Sequence, residues 1–323
     1  MKVLNIMAFH QKELDLQFGD GINILIGENG MGKTTLLKMI YAALQYSIEN
    51  QTSGKELIHF FSNNLRDFSQ MKYPGKEKDT CYYEISDGQH FFKDYLTKKN
   101  GIVSEGWKGL NIQSVFIPTT EMLSHSKGFL AMNQKYNMPF DETQIDIIVN
   151  ASLPETKKVS QSCEIILKEI SDVINGKVVQ EDDTFYIVKN DGRKIDFSLE
   201  AEGMRKLGLL WKLIRNGLLE KNSVLLRDEP EANLNPELYP LVANILLALQ
   251  KNGVQIFLAT HSYNFAKYLE IRRTEKEQVL IHNLYRNDLG KEIMSVSAYK
   301  MEDLEPNHIM MADNQLLDEV YNM

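Results

Sequence analysis

Apolar positions along this 323-residue chain fall into two rhythms. Near the N-terminus "KVLNIMAF" and "ELDLQF" alternate apolar with polar residues, as half-buried strands do, and "GDG" at 19–21 turns the chain into the unbroken apolar run "INILI" at 22–26. The period then changes. In "KTTLLKMIYAALQYSI" the residues Leu36, Leu37, Ile40, Ala43 and Leu44 recur at helical spacing, so a strand, a glycine-rich loop and a helix follow in that order. Residues 51–110 carry nine Lys or Arg and eight Asp or Glu, a balanced, turn-rich stretch with a strand at "CYYEIS". "IQSVFIP" at 112–118 reads as a further core strand ended by Pro118.

From about 121 to 176 the pattern is helical, in "ETQIDIIVNASL" and "CEIILKEISDVI", and "TFYIVKNDGRKIDFSL" predicts a hairpin around Asp191 and Gly192. These segments predict a helical lobe, residues 121–200, inserted in a sheet domain that otherwise takes up the whole chain, 1–323. Helix "MRKLGLLWKLIRNG", strand "SVLLRD", helix "LYPLVANILLALQKNG" and strand "VQIFLATHS" then alternate, the signature of a parallel sheet covered on both faces. The closing segment from Met310 to Tyr321 predicts a helix that packs on the body. No internal repeat and no sustained heptad pattern interrupts this reading, which excludes a long coiled-coil arm.

Composition narrows the class. A net charge of −8 argues against nucleic acid held by bulk charge and leaves a local basic face open. Cys81 and Cys163 stand apart from each other and from any histidine pattern, which predicts two ordinary thiols rather than a disulfide or zinc site. No apolar run approaches the ~18 residues that span a bilayer, and the polar N-terminal stretch predicts a cytoplasmic protein.

The chemistry lies at the ends of the predicted core strands. Gly27, Gly30, Gly32, Lys33 and Thr34 satisfy GxxxxGK[ST], a spacing in which small residues let backbone N–H groups surround phosphates. Lys33 would neutralise the β and γ phosphates and Thr34 would offer its hydroxyl to Mg²⁺, beside the positive end of the following helix. Gly27, Asn29, Gly30, Met31, Gly32, Lys33, Thr34 and Thr35 are therefore the predicted ATP contacts. "SVLLRDEPEANLNP" ends a strand in Asp228, which would hold the metal shell with Thr34, and Glu229, which would activate water. "IFLATHS" brings Thr260, His261 and Ser262 to the end of the next strand, where an imidazole can steady the attacking water.

In their combination and order these motifs resemble those of ABC-type ATPases, in the branch that includes structural-maintenance-of-chromosomes (SMC) and OLD-like proteins. The resemblance runs over almost the full length. It implies an α/β fold with a mixed, mainly parallel sheet covered by helices. Asp228 and Glu229 become the Walker B pair, "ANLNP" the D-loop and His261 the switch histidine, with Glu229, His261 and Lys33 as catalytic residues. It also implies ATP shared between two protomers, each completing the other's site through a signature loop. "LEAEGMRKLGLL" occupies that place, with Gly203 standing 25 residues before Asp228 and Glu202 beside it at a helix N-terminus. Ala201 stands where the usual LSGGQ has its serine. No glutamine follows strand 112–118, so "IPTTEML" reads either as a plain loop joining the sheet to the helical lobe or as a Q-loop in which Glu121 or Thr119 substitutes.

Three function classes share a phosphate loop. The resemblance favours an ATP-hydrolysing switch acting as a head-to-tail homodimer or higher oligomer, like the ATPase components of bacterial antiphage systems. Its partners would be a separately encoded effector or nucleic acid, with no membrane attachment. The alternative is the nucleotide-binding subunit of a membrane transporter, which would carry an intact LSGGQ and a recognisable Q-loop. A small-molecule kinase would need neither the "DEPE" acids nor "NLNP".

Overall fold

Each apolar run predicted as a core strand pairs with another. The computed structural model describes residues 1–10, 12–48, 57–61, 68–73, 80–96, 102–136, 138–275, 277–287, 290 and 292–322. Of the turn-rich stretch, 51–56, 62–67, 74–79 and 97–101 lie outside them. The chain opens with β1 (Lys2–Leu4), β2 (Leu14–Asp15) and β3 (Ile22–Gly27), then α1 (Lys33–Tyr46). Strands β4 (Tyr82–Ser86), β5 (Phe91–Leu96), β6 (Ile102–Gly106) and β7 (Ser114–Ile117) follow. Next come α2 (Phe129–Tyr136), α3 (Glu142–Ser152), α4 (Gln161–Ile174), β8 (Gly176–Glu181), β9 (Thr184–Lys189) and β10 (Lys194–Asp196). The last third holds α5 (Glu202–Arg215), β11 (Val224–Asp228), α6 (Tyr239–Lys251), β12 (Gln255–Ala259), α7 (Tyr263–Arg272), β13 (Val279–Arg286), β14 (Ile293–Ala298) and α8 (His308–Tyr321).

The central sheet has six strands in the order β14-β13-β3-β12-β11-β7. All its pairs are parallel except β13 with β14, so it is the mixed, mainly parallel sheet expected. Strand alternation sends side chains to two separate cores. Ile22, Ile24, Ile26, Leu225, Ile256 and Leu258 meet α4 to α7 on one face. Leu25, Leu226, Phe257 and Ala259 meet α1 and the N-terminal strands on the other. β3, with all six residues buried, can sit only in the middle of such a sandwich.

Two features correct the sequence reading. The N-terminal strands β1 and β2 join β4 to β6 in a second, antiparallel sheet, β2-β1-β4-β5-β6, of which only isolated members were predicted. In stretch 121–200 the predicted hairpin around Asp191 and Gly192 forms as β9 and β10, and a third antiparallel strand extends it, because Gly176–Glu181 folds back on β9 through a turn at Asp182 and Asp183. Its helices are locally specified. α3 starts with a capping box of Asp141 and Gln144, and α4 runs from a Ser160 cap to Asn175 in the left-handed region at φ 51°. Lys38 to Asp141 at 2.6 Å and the Tyr41 hydroxyl donating to Asp146 at 3.0 Å tie this stretch to α1.

The terminal helix departs further from expectation. α8 forms where predicted, yet no side chain along it is buried. Periodicity specified an apolar face, but beyond Ile309, which packs on the core, the body of the same chain leaves it exposed. Among the described residues, no helix is long and apolar enough to cross a membrane.

Candidate active site

Parallel strands end on the same edge, so β3, β12 and β11, adjacent in the sheet, deliver their C-terminal loops to one place. From β3 the chain turns through Gly27 at φ 138°, Gly30 at φ 79° and Gly32 at φ 81° into α1. At Gly27 a Cβ would lie 2.2 Å from the Leu284 carbonyl, and at Gly32 it would lie 2.4 Å from the Phe9 ring, so glycine is required at both. Gly32 caps α1 without a side-chain hydrogen bond, and the first turn holds no acid. The helix therefore presents its free N–H groups and positive dipole end to the loop.

Lys33 is buried and donates to the carbonyls of Gly27 at 2.8 Å and Glu28 at 2.9 Å, which bends the loop round its ammonium. Burial pulls its pKa below the usual lysine range, and Asp228, Glu229 and Glu231 oppose that pull. Thr34 donates its hydroxyl to Asp228 Oδ2 at 2.9 Å across 194 residues of chain. Alternation along β11 explains the meeting: Asp228 shares the face of Leu226 toward α1, whereas Arg227 is directed to the other face. The Asp228 carboxyl is pushed up by burial, against a lowering by Thr34, with Glu229 raising it further and the Thr119 hydroxyl lowering it.

Glu229 leaves the strand in the left-handed region, at φ 45°. For a non-glycine residue this stores roughly 1 kcal/mol or more, held here by Glu229 N–H donating to Ala259 O at 2.8 Å and Ala232 N–H donating to Glu229 O at 3.1 Å. The turn swings its carboxylate off the sheet toward His261, whose Nε2 lies 2.6 Å from Glu229 Oε1. Behind this pair Thr260, fully buried, donates to Glu231 Oε1 at 2.5 Å and accepts from Ser262 N–H at 3.0 Å. Burial raises the Glu231 carboxyl. On the opposite face Arg227 is buried, its pKa lowered to about 10 by desolvation against the pull of Glu231.

Asn29, Gly30, Gly32, Lys33, Thr34, Thr35, Glu229 and His261 line one cleft of about 360 Å³, a volume in the small-ligand range. Met7 and Ala8 line it too, and no motif pointed to them. The local signal was a pair of left-handed residues, Asn5 at φ 57° and Met7 at φ 49°, that bends the chain over Thr35. Met31 belongs to the loop, but its side chain is buried in the core beside α1.

Glu202 and Gly203 stand apart from this cleft. Glu202 accepts from Asn233 Nδ2 at 3.0 Å, and a Cβ on Gly203 would lie 3.2 Å from Leu234, so both pack on the "ANLNP" turn of their own chain. Lys206, one helical turn on, donates to Ala232 O at 2.5 Å. Ala201 caps α5 with no side-chain hydrogen bond, leaving the first N–H groups of that helix open. Of the two Q-loop candidates, Thr119 reaches Asp228. Glu121 is used elsewhere, accepting from Leu123 N–H at 2.5 Å and pairing with Arg205 at 3.4 Å.

The donor chemistry fits magnesium. The Thr34 hydroxyl and Asp228 carboxylate are hard oxygens already in contact, and Mg²⁺ takes one or two protein oxygens plus water and phosphate. A carboxylate raised by burial is one that a bound cation would restore to its charged form.

Comparison with known proteins bears on the fold and family. A family described as "AAA domain, putative AbiEii toxin, Type IV TA system" matches residues 126–266. The DNA replication and repair protein RecF of Streptococcus uberis is 29% identical over 210 residues, 64% of this chain and 55% of that protein. RecF of Clostridium kluyveri is 30% identical over 118 residues, 36% of this chain and 27% of that protein. This chain thus spans between about a quarter and just over half the length of these relatives. Among solved structures, an SMC head bound to the C-winged helix domain of ScpA superposes with a TM-score of 0.56 at 13% identity, covering 92% of this chain and 96% of that one. The SMC head domain of Thermotoga maritima gives 0.52 at 16% identity, with coverage of 92% and 96%. At such identities the structural likeness speaks for the fold.

Proposed function

We propose that this ABC-type, SMC-like P-loop ATPase hydrolyses ATP to ADP and phosphate in the cleft between β3, β11 and β12, and that ATP joins two copies head to tail. One observation carries the reading: Lys33, Thr34, Glu229 and His261, up to 228 residues apart in sequence, line that cleft, with Asp228 hydrogen-bonded to Thr34 and Glu229 to His261. The loop Gly27–Thr35 wraps the phosphates with backbone N–H groups, and Lys33 turns its ammonium to them. Magnesium, held by Thr34 with Asp228 in its shell, supplies charge neutralisation when bound. Glu229, aimed by its left-handed turn, accepts the proton of the attacking water, and His261 orients that carboxylate and the γ-phosphate.

The dimer reading draws support from what one chain keeps out of its own cleft. Ala201, Glu202 and Gly203 present open helix N–H groups beside the "ANLNP" turn, which suits a phosphate bound on the facing protomer. We place the protein in the cytoplasm as the ATPase component of a defence or nucleic-acid-linked system with a separate effector. The toxin–antitoxin wording of the matching family favours the first, and the DNA-repair role named for the RecF relatives favours the second. The test is phosphate release by the purified protein with ATP, with and without magnesium, beside light scattering on the same samples. Magnesium-dependent release with a shift from monomer to dimer mass is expected. A protein that releases no phosphate and stays one mass with ATP would remove the proposal.

A further inference from the structure

Past its first turn, where Ile309 packs on the core, the terminal helix carries apolar residues that its own chain leaves exposed. At 100° per residue, Ile309, Ala312, Leu316, Leu317 and Val320 fall on one side of α8 with Asp313 as the one charge among them, and Asn314, Gln315, Asp318 and Glu319 fall outside that arc. Leu316 is 59%, Leu317 47% and Val320 58% exposed. A helix that is amphipathic but bare marks an interface.

Its position says what covers it. α8 starts at the phosphate loop, where His308 Nδ1 lies 3.1 Å from Glu28 Oε1. A groove of about 510 Å³ between α8 and the start of α7 is lined by Glu28, His261, Ile309 and Leu316, so His261 borders both this groove and the nucleotide cleft. The apolar face is thus continuous with the surface that the proposed dimer closes. Near the loop proposed to cover the partner's nucleotide, Leu199, two positions before Ala201, is 80% exposed. In the proposed dimer that loop meets the phosphate loop of the other copy, beside which α8 starts. Lipid is a poor alternative, because α8 carries Asp313, Asp318 and Glu319 and no Lys or Arg to meet an anionic bilayer.

We infer that α8 docks on a second copy of this chain, its apolar face covered in the ATP-bound dimer by the surface around Leu199 of the partner subunit. The inference rests on the head-to-tail dimer proposed above. It makes the helix a second contact that reports nucleotide state, since its groove shares His261 with the cleft.

The experiment places Leu199→Cys and Leu316→Cys together in a Glu229→Gln protein, adds magnesium and ATP, and applies a short bismaleimide. Cys81 and Cys163 are buried and leave the engineered pair as the reactive thiols. ATP-dependent covalent dimer is expected. A separate Leu316→Asp, Leu317→Asp protein should need at least about tenfold more protein to dimerise while melting as the parent does, because both side chains are exposed in the monomer. Light scattering on the same samples separates the two ways to fail. If dimer forms with no cross-link and the aspartate protein dimerises normally, α8 is not in the interface and the head-to-tail reading stands. If Leu316→Cys labels with maleimide as fast in the dimer as in the monomer, the face is kept for a different protein and the inference falls. If the Glu229→Gln parent stays monomeric with saturating ATP, the dimer reading fails and takes this one with it.

Discussion

Replacing Glu229 by glutamine separates chemistry from folding in a way the structure lets us size. The side chain is isosteric, and the backbone bonds to Ala259 and Ala232 that hold its left-handed turn do not involve the carboxylate. What is lost is the contact with His261, between side chains 29% and 41% exposed, and such a solvated pair is worth up to about 1 kcal/mol. Melting should therefore move by no more than about 3 °C. Removing a general base slows the step it serves by roughly 10²–10⁴-fold, or about 3–5 kcal/mol of barrier, several times the effect on stability. Lys33, Thr34 and Asp228 remain to hold nucleotide, so ATP binding persists and closed dimer accumulates. Asp228→Asn is the control with the opposite profile. It removes a carboxyl that burial has pushed up, so the fold without nucleotide melts no lower, while magnesium-dependent ATP binding weakens. The assays are phosphate release, equilibrium ATP binding and a thermal melt on the three proteins. A Glu229→Gln enzyme turning over within threefold of the parent would refute the assignment, as would an Asp228→Asn protein that binds Mg-ATP normally.

Lys33→Ala should weaken ATP binding by about 100-fold, from the loss of two charge-assisted bonds to phosphate at roughly 1.5 kcal/mol each, with the melting temperature little changed; equal ATP affinity in a titration would exclude Lys33 from the site. Ala201→Ser gives α5 the cap it lacks, worth about 1 kcal/mol, and adds a hydroxyl to the loop that the proposed dimer sets against the facing phosphate. A higher melting temperature with unchanged ATP-dependent dimerisation in light scattering would show that 201–203 does not touch the partner's nucleotide. Asp94 tests the electrostatics of the antiparallel sheet: burial raises its carboxyl from 3.8 to about 6, so the charged form penalises the fold at every pH above 6 and the penalty vanishes below about 4. Asp94→Asn should therefore stabilise by up to about 3 kcal/mol at pH 8 and by nothing near pH 3.5 in urea unfolding, and an equal gain at both would refute the assignment. Buried His282, its pKa lowered to about 4 by desolvation, has the opposite sign and loses stability as pH falls from 6.5 to 4, so the asparagine protein should weaken over that window more steeply than the parent.

Sequence alone determined what short-range physics decides. Glycine at 27, 30 and 32 followed by lysine and threonine specifies a left-handed turn into a helix N-terminus, because few other residues adopt those dihedrals. An apolar run such as "INILI" demands burial on both faces, and β3 receives it. Acids at the end of "SVLLRD" and a histidine after "IFLA" were legible as candidate site residues for the same reason: parallel strands bury their middles and release their ends. Three things were settled only by tertiary structure. The order β3-β12-β11 brings Thr34 to Asp228 and Glu229 to His261, and no local pattern encodes which strands become neighbours. Which of Thr119 and Glu121 reaches Asp228 depended on how the loop packs, and Met7 and Ala8 line the cleft from the bend between β1 and β2. The terminal helix shows the limit most plainly. Periodicity specifies that a helix has an apolar face, but whether that face meets its own chain depends on where the preceding strand sets it down. β14 and the turn after it set α8 against the phosphate loop, with its apolar side still in solvent.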